Sequence, residues 1–289
     1  MSRNRDRLGV PNTTPEPTEP PPQVFNDNAS EPGGFSFVVP TEFVEIPSKG
    51  KYYPDNHPLA DQETIEIKQM TAKEEDMLTS RTLLRKGIAL ERVIQSLIVD
   101  KRINPNTLLV GDRNAILIAA RISGYGSDYT TNITCPQCGT SQQHLFDLHD
   151  ATEVRESDLG TSNIIDNGDG TFTTTLPATK VEVSFRLLTG IDEKSLLTQI
   201  ENARKSKKEE NTITRQLKQF IIAVNGDDTQ DSINYLVNNV PSSDSRYLRN
   251  LFVQVTPDVN LMENFECSEC SYDSVMEVPL TADFFWPDR

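Results

Sequence analysis

The sequence is short of positive charge. It contains 28 lysine and arginine residues against 43 aspartate and glutamate residues, a formal net charge of −15 at pH 7. A general nucleic-acid-binding protein needs a basic face that neutralises phosphates and releases their counterions. The acidic balance therefore makes nucleic acid an unlikely partner and leaves a nucleic-acid-binding zinc ribbon as a weak alternative.

Long apolar runs are also missing. No stretch approaches the roughly 20 apolar residues that a membrane-spanning helix requires, and the first residues lack the pattern of a signal peptide. We therefore expect no membrane association. We also expect a reducing compartment, in which cysteines do not form structural disulfides.

Catalytic motifs are absent as well. The sequence has no glycine-rich phosphate loop, no G-x-S-x-G and no H-E-x-x-H. Its only histidines are His57, His144 and His149, and we interpret His144 as an ordinary strand residue. The sequence therefore predicts a protein that is not an enzyme and that has no small-molecule substrate.

The four cysteines form two C-x-x-C pairs. Cys135 and Cys138 lie in CPQCG, and Cys267 and Cys270 lie in CSECS. Two such pairs supply the four thiolates of a structural Zn²⁺ and leave no position for a catalytic water. Roughly 15–20 residues separate the pairs of an ordinary ribbon, but 128 residues separate Cys138 from Cys267. We predict one structural zinc that closes a split ribbon around an inserted lobe.

Other roles for the cysteines stay open at this level. Disulfides, a redox-active C-x-x-C and unrelated reduced thiols are the alternatives to a shared zinc. Gly139 directly follows the first pair, where a tight turn favours a residue that can take positive φ. Ser271 holds the corresponding place after the second pair, and we expect it to suit the turn less well.

The predicted fold class is α+β, with a helical subdomain and a split four-cysteine zinc ribbon. A mixed strand and helix lobe is inserted between the two halves of the ribbon. The first 34 residues contain seven of the 18 prolines and few apolar residues, so they cannot bury enough surface to fold alone. The predicted segments are a Pro-rich extended arm (1–34), a strand and loop region with three helices (35–127), the first half-ribbon (128–150), an inserted hairpin and helical lobe (151–258), and the second half-ribbon with an aromatic end (259–289).

Periodicity and capping residues predict the individual elements. Ile65 and Ile67 alternate with polar residues in a strand, and Thr71 and Glu74 form a capping box. Asp112 and Asp192 are predicted caps, as is the sequence SSDS. The predicted helices cover 72–84, 90–99, 112–123, 192–206, 212–224, 229–240 and 242–254.

Two aromatic groups are candidates for partner binding. Tyr52 and Tyr53 follow a turn in SKGKYYP as two exposed aromatics of a surface loop. Packing of these tyrosines on the body is the main interpretation, and a partner-binding loop is the alternative. Phe284, Phe285 and Trp286 form a cluster near the end of the sequence. Clustered aromatics of this kind serve either as a core plug or as an anchor in a partner.

The order of several motifs is similar to that of a known family. SKGKYYP, MTAKEEDML, LLVGDRNAILIAARISGYGSDY and CPQCG follow one another as in the baseplate hub proteins of T-even-like contractile-tailed bacteriophages. CSEC and FFWPD resemble the late C-x-x-C and the aromatic end of that family. The resemblance covers residues 40–148 best and the last 30 or so residues next.

The resemblance implies a virion protein without catalytic residues. Its expected location is the tail baseplate, after synthesis and assembly in the cytoplasm of the bacterial host. Its expected partners are other baseplate and tail proteins, such as hub, tube, wedge or tape-measure proteins. The main alternative is a transient chaperone of hub assembly that leaves before the virion is complete.

Overall fold

The computed structural model describes residues 37–85, 87–149, 154–157, 159–160, 163–205, 212–279 and 282–285. The chain divides into two compact units, Met1–Val39 and Pro40–Arg289. Every element below belongs to the second unit. The predicted arm at 1–34 and Trp286 lie outside the described residues, and the predicted segment boundaries stay predictions.

A two-stranded antiparallel sheet begins the second unit. Strand β1, Thr41–Glu45, pairs with β2, Thr64–Lys68. Alternation along β2 places Ile65 and Ile67 in the core, because successive side chains of a strand point to opposite faces. The predicted strand at this position is confirmed.

Four helices follow where three were predicted. The prediction of one helix over 72–84 is wrong, because Ser80 adopts an extended conformation (φ −64°, ψ 105°) and interrupts it. The capping box is present, since the Thr71 amide donates a 3.0 Å hydrogen bond to the Glu74 carboxylate. The helices are α1 (Ala72–Thr79), α2 (Arg81–Arg85), α3 (Ala89–Leu97) and α4 (Val110–Tyr125).

Helix α4 is buried along most of its length and contributes several residues to the main hydrophobic cluster. Gly111 allows close approach of the backbone, because a Cβ there would lie 2.1 Å from the Pro257 carbonyl oxygen. Asp112 was predicted as the N-cap, which is wrong, since the N-cap residue is Leu109. The Asp112 carboxylate is instead buried and accepts hydrogen bonds from the Ser48 amide and hydroxyl.

Two hairpins flank the cysteine pairs, as predicted. Strand β3, Asp128–Thr134, pairs with β4, Ser141–Asp147, and the turn between them contains the first C-x-x-C. Strand β11, Met262–Glu266, pairs with β12, Asp273–Glu277, around the second. A 3₁₀ helix, Ala282–Phe285, follows the second hairpin.

The segment between the hairpins contains a four-stranded antiparallel sheet and four helices. Neighbouring strands of this sheet are consecutive in the sequence. A further short pair, β5 (Val154–Arg155) with β10 (Asp258–Val259), joins the two ends of this segment. The sheet consists of β6 (Ile164–Asp166), β7 (Thr171–Thr175), β8 (Glu182–Arg186) and β9 (Ile221–Val224), and the helices are α5 (Gly190–Lys205), α6 (Thr212–Phe220), α7 (Gln230–Asn239) and α8 (Ser242–Val255).

Some predicted boundaries in this segment are wrong. The helix expected over 212–224 ends at Phe220, because Ile221–Val224 pairs with β8 as a sheet strand. The SSDS cap is also wrong, since Asp244 accepts hydrogen bonds from the amides of Ala178 and Thr179 instead. The aspartate therefore anchors the turn before β8 to helix α8.

One continuous cluster of buried apolar side chains runs through the helices, both hairpins and the inserted segment. The α+β class is confirmed in this mixture of helices and small sheets. Within the described ranges, none of the helices has the length and apolar character needed to cross a membrane.

Candidate metal centre

The two C-x-x-C turns have the same backbone hydrogen bonds. In each turn the residue after the second cysteine donates its amide to the carbonyl of the first cysteine, at 2.9 Å from Gly139 and 3.0 Å from Ser271. The amides of Cys135 and Cys267 each donate to the carbonyl five residues further on, at 2.9 Å in both turns. The two halves of the ribbon therefore present their thiols in matching geometry.

The matching geometry extends to the left-handed position of each turn. Gly139 has φ 73° and Ser271 has φ 53°. Positive φ is uncommon for residues other than glycine, so Ser271 is held there by the turn around it. The second turn thus forms in full, at a conformational cost that the glycine of the first turn avoids.

Exchanging these two residue types should change stability in opposite directions. No atom lies within 4 Å of the Cβ that Gly139→Ala adds, so the variant creates no steric clash. Left-handed backbone strain alone should therefore lower its free energy of unfolding, by about 1–2 kcal/mol. Ser271→Gly should raise it by up to about 1 kcal/mol, as strain relief exceeds the added chain entropy. Urea denaturation at one metal concentration measures both variants, and a neutral Gly139→Ala variant would contradict the expectation.

The four thiols lie together. Cys135 and Cys270 have their Sγ atoms 3.7 Å apart, and so do Cys138 and Cys267. All four sulfurs lie within 4.8 Å of one another, and they form the one group of three or more such ligand residues found among the described residues. Tetrahedral Zn–S bonds of about 2.3 Å imply sulfur separations of about 3.8 Å. The spacing fits a four-thiolate metal site, and all four cysteines are free thiols.

The thiols differ in their affinity for protons. Hydrogen bonds from the hydroxyl and amide of Thr140 lower the pKa of Cys138 to about 6. A hydrogen bond from the amide of Tyr272 likewise lowers the pKa of Cys270. Burial and the neighbouring thiols oppose it and raise the pKa of Cys270 to about 12. Thiols in contact resist ionising together. A bound cation removes this conflict, because it favours the thiolate form of every ligand.

Contacts beside the thiols also join the two hairpins. The side-chain amide of Gln142 donates to the Glu266 carbonyl at 2.9 Å, and its oxygen accepts from the Ser268 amide at 2.9 Å. The His144 ring packs edge-on against Phe265, with the ring centroids 5.4 Å apart. His144 is an ordinary residue of β4, as predicted. The role of Gln142 was missed, since nothing in the sequence distinguishes it from other strand glutamines.

Tyr52 and Tyr53 are buried, with 7% and 8% of their surface exposed. The Tyr52 hydroxyl donates to Ser157 at 3.1 Å. The Tyr53 hydroxyl donates to Asp112 at 2.7 Å and accepts from the Leu109 amide at 3.0 Å. The description of these residues as exposed is therefore wrong, whereas their packing on the body is confirmed, and both hydroxyls find polar partners there. Partner binding by these residues stays a prediction that their burial does not favour.

The aromatic cluster near the end of the chain is partly described. Phe284 and Phe285 are each 1% exposed and pack edge-on at 5.1 Å between ring centroids. Phe284 also packs edge-on against Tyr129 of β3, at 5.1 Å. These contacts agree with the core-plug alternative for both phenylalanines. An anchoring role in a partner, including that of Trp286, stays a prediction.

Arg121 holds this aromatic end in place. Its guanidinium is fully buried and donates to three main-chain carbonyls, those of Phe284 at 2.7 Å, Gly126 at 2.6 Å and Asp128 at 2.9 Å. Burial lowers the pKa of Arg121. This role of Arg121 was not predictable from the residue alone, since an arginine within a helix is usually exposed.

Comparison with known proteins identifies one family. Residues 39–170 match the model of a family described as T4 bacteriophage base plate protein. The matched range begins before β1 and contains Cys135 and Cys138, but it ends before Cys267 and Cys270. No curated protein and no solved structure matches the chain.

Proposed function

We propose that this chain, whose residues 39–170 match the family described as T4 bacteriophage base plate protein, is a baseplate protein of a T4-like phage. Within the baseplate we propose that it is a non-enzymatic structural subunit of the hub or wedge region. The family match is the observation that carries this proposal. A baseplate protein is part of the virion tail, and its partners are other tail and baseplate proteins. The particular neighbours we propose are hub, tube, wedge or tape-measure proteins, joined during assembly in the host cytoplasm.

The metal that best suits the four cysteines is Zn²⁺. Four thiolates at tetrahedral spacing are the donor set of structural zinc sites, and soft sulfur ligands select this class of metal. Cys135, Cys138, Cys267 and Cys270 would hold the ion. A closed shell of four thiolates leaves no position for water, so the zinc would stabilise the fold and would not take part in catalysis.

The zinc would hold together the two ends of the inserted segment. One C-x-x-C follows β3 and the other follows β11, so one ion would bind both ends of the intervening chain. The short β5–β10 pair joins the same two ends nearby in the sequence. We infer that the metal fixes the surfaces that the scaffold presents to neighbouring baseplate proteins.

Mass spectrometry of purified virions tests the structural role. The chain should be present at a stoichiometry similar to that of other baseplate proteins. Its absence from virions, with presence in assembly intermediates, would overturn the structural role and support the chaperone alternative. Salt-dependent DNA binding in a titration would be needed to support the nucleic-acid alternative at a net charge of −15.

Deletion of residues 1–34 should separate folding from assembly. The truncated chain should keep its free energy of unfolding within about 0.5 kcal/mol, because a Pro-rich segment with few apolar residues contributes little burial. Its incorporation into baseplates should fall, as measured by complementation of a phage that lacks the gene. A large loss of melting temperature in the isolated truncated protein would contradict this expectation.

A further inference from the structure

Strand β1 has one edge turned away from β2, and we call this its outer edge. Backbone groups of a strand alternate in direction, and the Ile46 amide donates across the pair to the Glu63 carbonyl at 2.9 Å. The same alternation directs the amides and carbonyls of Glu42 and Val44 toward β2. In the described part of the chain no hydrogen-bond partner is found for the outward groups, which are the amides and carbonyls of Thr41, Phe43 and Glu45.

The opposite edge of this small sheet is covered. Ile98 forms a bridge with Ile67, and the Val99 amide donates to the Glu66 carbonyl at 3.1 Å. Helix α4 packs against β1. The sheet is therefore supported on one side and open along the outer edge of β1.

The outer edge of β1 carries no lysine, proline or bulge along its five residues. Soluble proteins block open edges with lysine, proline or a bulge, whereas β1 reads TEFVE and pairs with β2 in regular register. The Phe43 side chain is 71% exposed. A regular strand with an exposed aromatic side chain is suited to receive another strand.

The charges of the strand indicate what kind of segment would bind. β1 carries Glu42 and Glu45 and no cation. One carboxylate oxygen of Glu42 is buried with no hydrogen-bond partner among the described residues. The lysine of β2, Lys68, is already paired with Glu74 at 2.9 Å. A buried carboxylate without a partner is unfavourable, so a cationic side chain brought by an incoming strand would complement this site.

We propose that the outer edge of β1 binds an extended segment of another baseplate protein that carries lysine or arginine, by β-strand addition. The identity of the partner as a baseplate protein rests on the proposed function, whereas the open acidic edge does not. Thr41, Phe43 and Glu45 each exchange main-chain hydrogen bonds with the incoming strand, and its cations lie on the face of the sheet that carries Glu42, where one carboxylate oxygen has no partner among the described residues.

A synthetic peptide tests the edge directly in the full-length chain. The probe is a seven-residue peptide of alternating arginine and valine, and its matched control has glutamate in place of arginine. The arginine peptide should bind at least about tenfold more tightly, a difference of about 1.4 kcal/mol. In the complex, NMR should show slower amide hydrogen exchange at Thr41, Phe43 and Glu45 than in the free chain, with smaller changes at Glu42 and Val44. Equal binding of the two peptides, or protection elsewhere alone, would overturn the proposal.

Phe43→Pro removes one outward amide without touching the bonds to β2, because proline lacks the N–H and is tolerated at strand edges. Phe43→Ala is the matched control, since it removes the ring and keeps the amide. Phe43→Pro should abolish peptide binding, and Phe43→Ala should keep a measurable part of it. Thr41→Pro, at the first position of the strand, replaces Phe43→Pro if that variant does not fold. Wild-type binding by a folded proline variant would contradict strand addition.

Hydrogen exchange of the chain within purified baseplates distinguishes this inference from the proposed function. The amides of Thr41, Phe43 and Glu45 should exchange at least about tenfold more slowly in the baseplate than in the isolated chain. If the chain is present in virions and these amides stay unprotected, the strand-addition proposal fails and the structural role stands. If the peptide binds but virions lack the chain, the structural role fails and the binding edge stands.

Discussion

Replacement of Cys138 by serine is expected to destabilise the whole body of the protein. The thiol lies 3.7 Å from Cys267, in the group of four sulfurs that fits a zinc ion. Metal binding to a site that exists only in the folded chain adds directly to folding free energy. Free zinc at about 100 to 1,000 times its dissociation constant stabilises the folded chain by about 2.7–4.1 kcal/mol, and a variant that no longer binds zinc loses this stabilisation. Thermal melting of the zinc-loaded wild type and variant measures this loss.

Chelation supplies the second arm of this experiment. EDTA should lower the melting temperature of the wild type toward that of Cys138→Ser and should change the variant much less. Gln137→Ala is the matched control, because Gln137 is exposed in the same turn and offers no ligand. It should melt like the wild type with and without zinc. An unchanged melting curve after verified removal of zinc would show that the ribbon holds together without metal.

The other contacts between the hairpins are too weak to take the place of the proposed zinc. Gln142 bonds the backbone at Glu266 and Ser268, near the surface of the molecule. A neutral hydrogen bond contributes only about 0.5–1.5 kcal/mol net. These bonds orient the two halves, but they would not replace the four metal–sulfur bonds of the proposed zinc site, which would connect segments 128 residues apart in the sequence.

The candidate site was largely predictable because its signal is local. Each C-x-x-C specifies its own turn, and the strands around it alternate in the expected way. The hydrogen-bond partners of Tyr52 and Tyr53 were not predictable, since they lie far away in the sequence. Tyr53 bonds Asp112 and Tyr52 bonds Ser157, and only the folded chain brings these residues together.

The helix predictions failed where tertiary pairing decided the conformation. Ile221, Ile222, Ala223 and Val224 continue the apolar pattern of α6, yet they form strand β9 beside β8. β-branched residues fit a half-buried sheet as well as a helix face, so context decides between the two. At Ser80 the chain leaves the helix although apolar residues continue beyond it, and composition gives no sign of this break.

Arg121→Met is expected to cost about 3–5 kcal/mol of unfolding free energy, comparable with the loss of a partner from a buried polar network. Arg121 is fully buried and bonds the carbonyls of Phe284, Gly126 and Asp128. Methionine fills part of the volume but leaves these carbonyls without a donor, and each unpaired buried group costs about 1–3 kcal/mol. Urea denaturation measures the difference.

Two further variants separate the loss of hydrogen bonds from a general effect of removing an arginine. Arg102→Met is the exposed control, because the Arg102 side chain is 80% exposed in its ion pair with Asp100, and surface pairs contribute only about 0–1 kcal/mol. Arg121→Lys keeps the charge but not the three-way geometry of the guanidinium, so it should recover only part of the stability.

Since the Phe284 carbonyl is one of the acceptors, the Arg121→Met chain should also lose its last residues to carboxypeptidase faster than wild type. Equal stability of the two methionine variants would show that the aromatic end is held by ring packing alone.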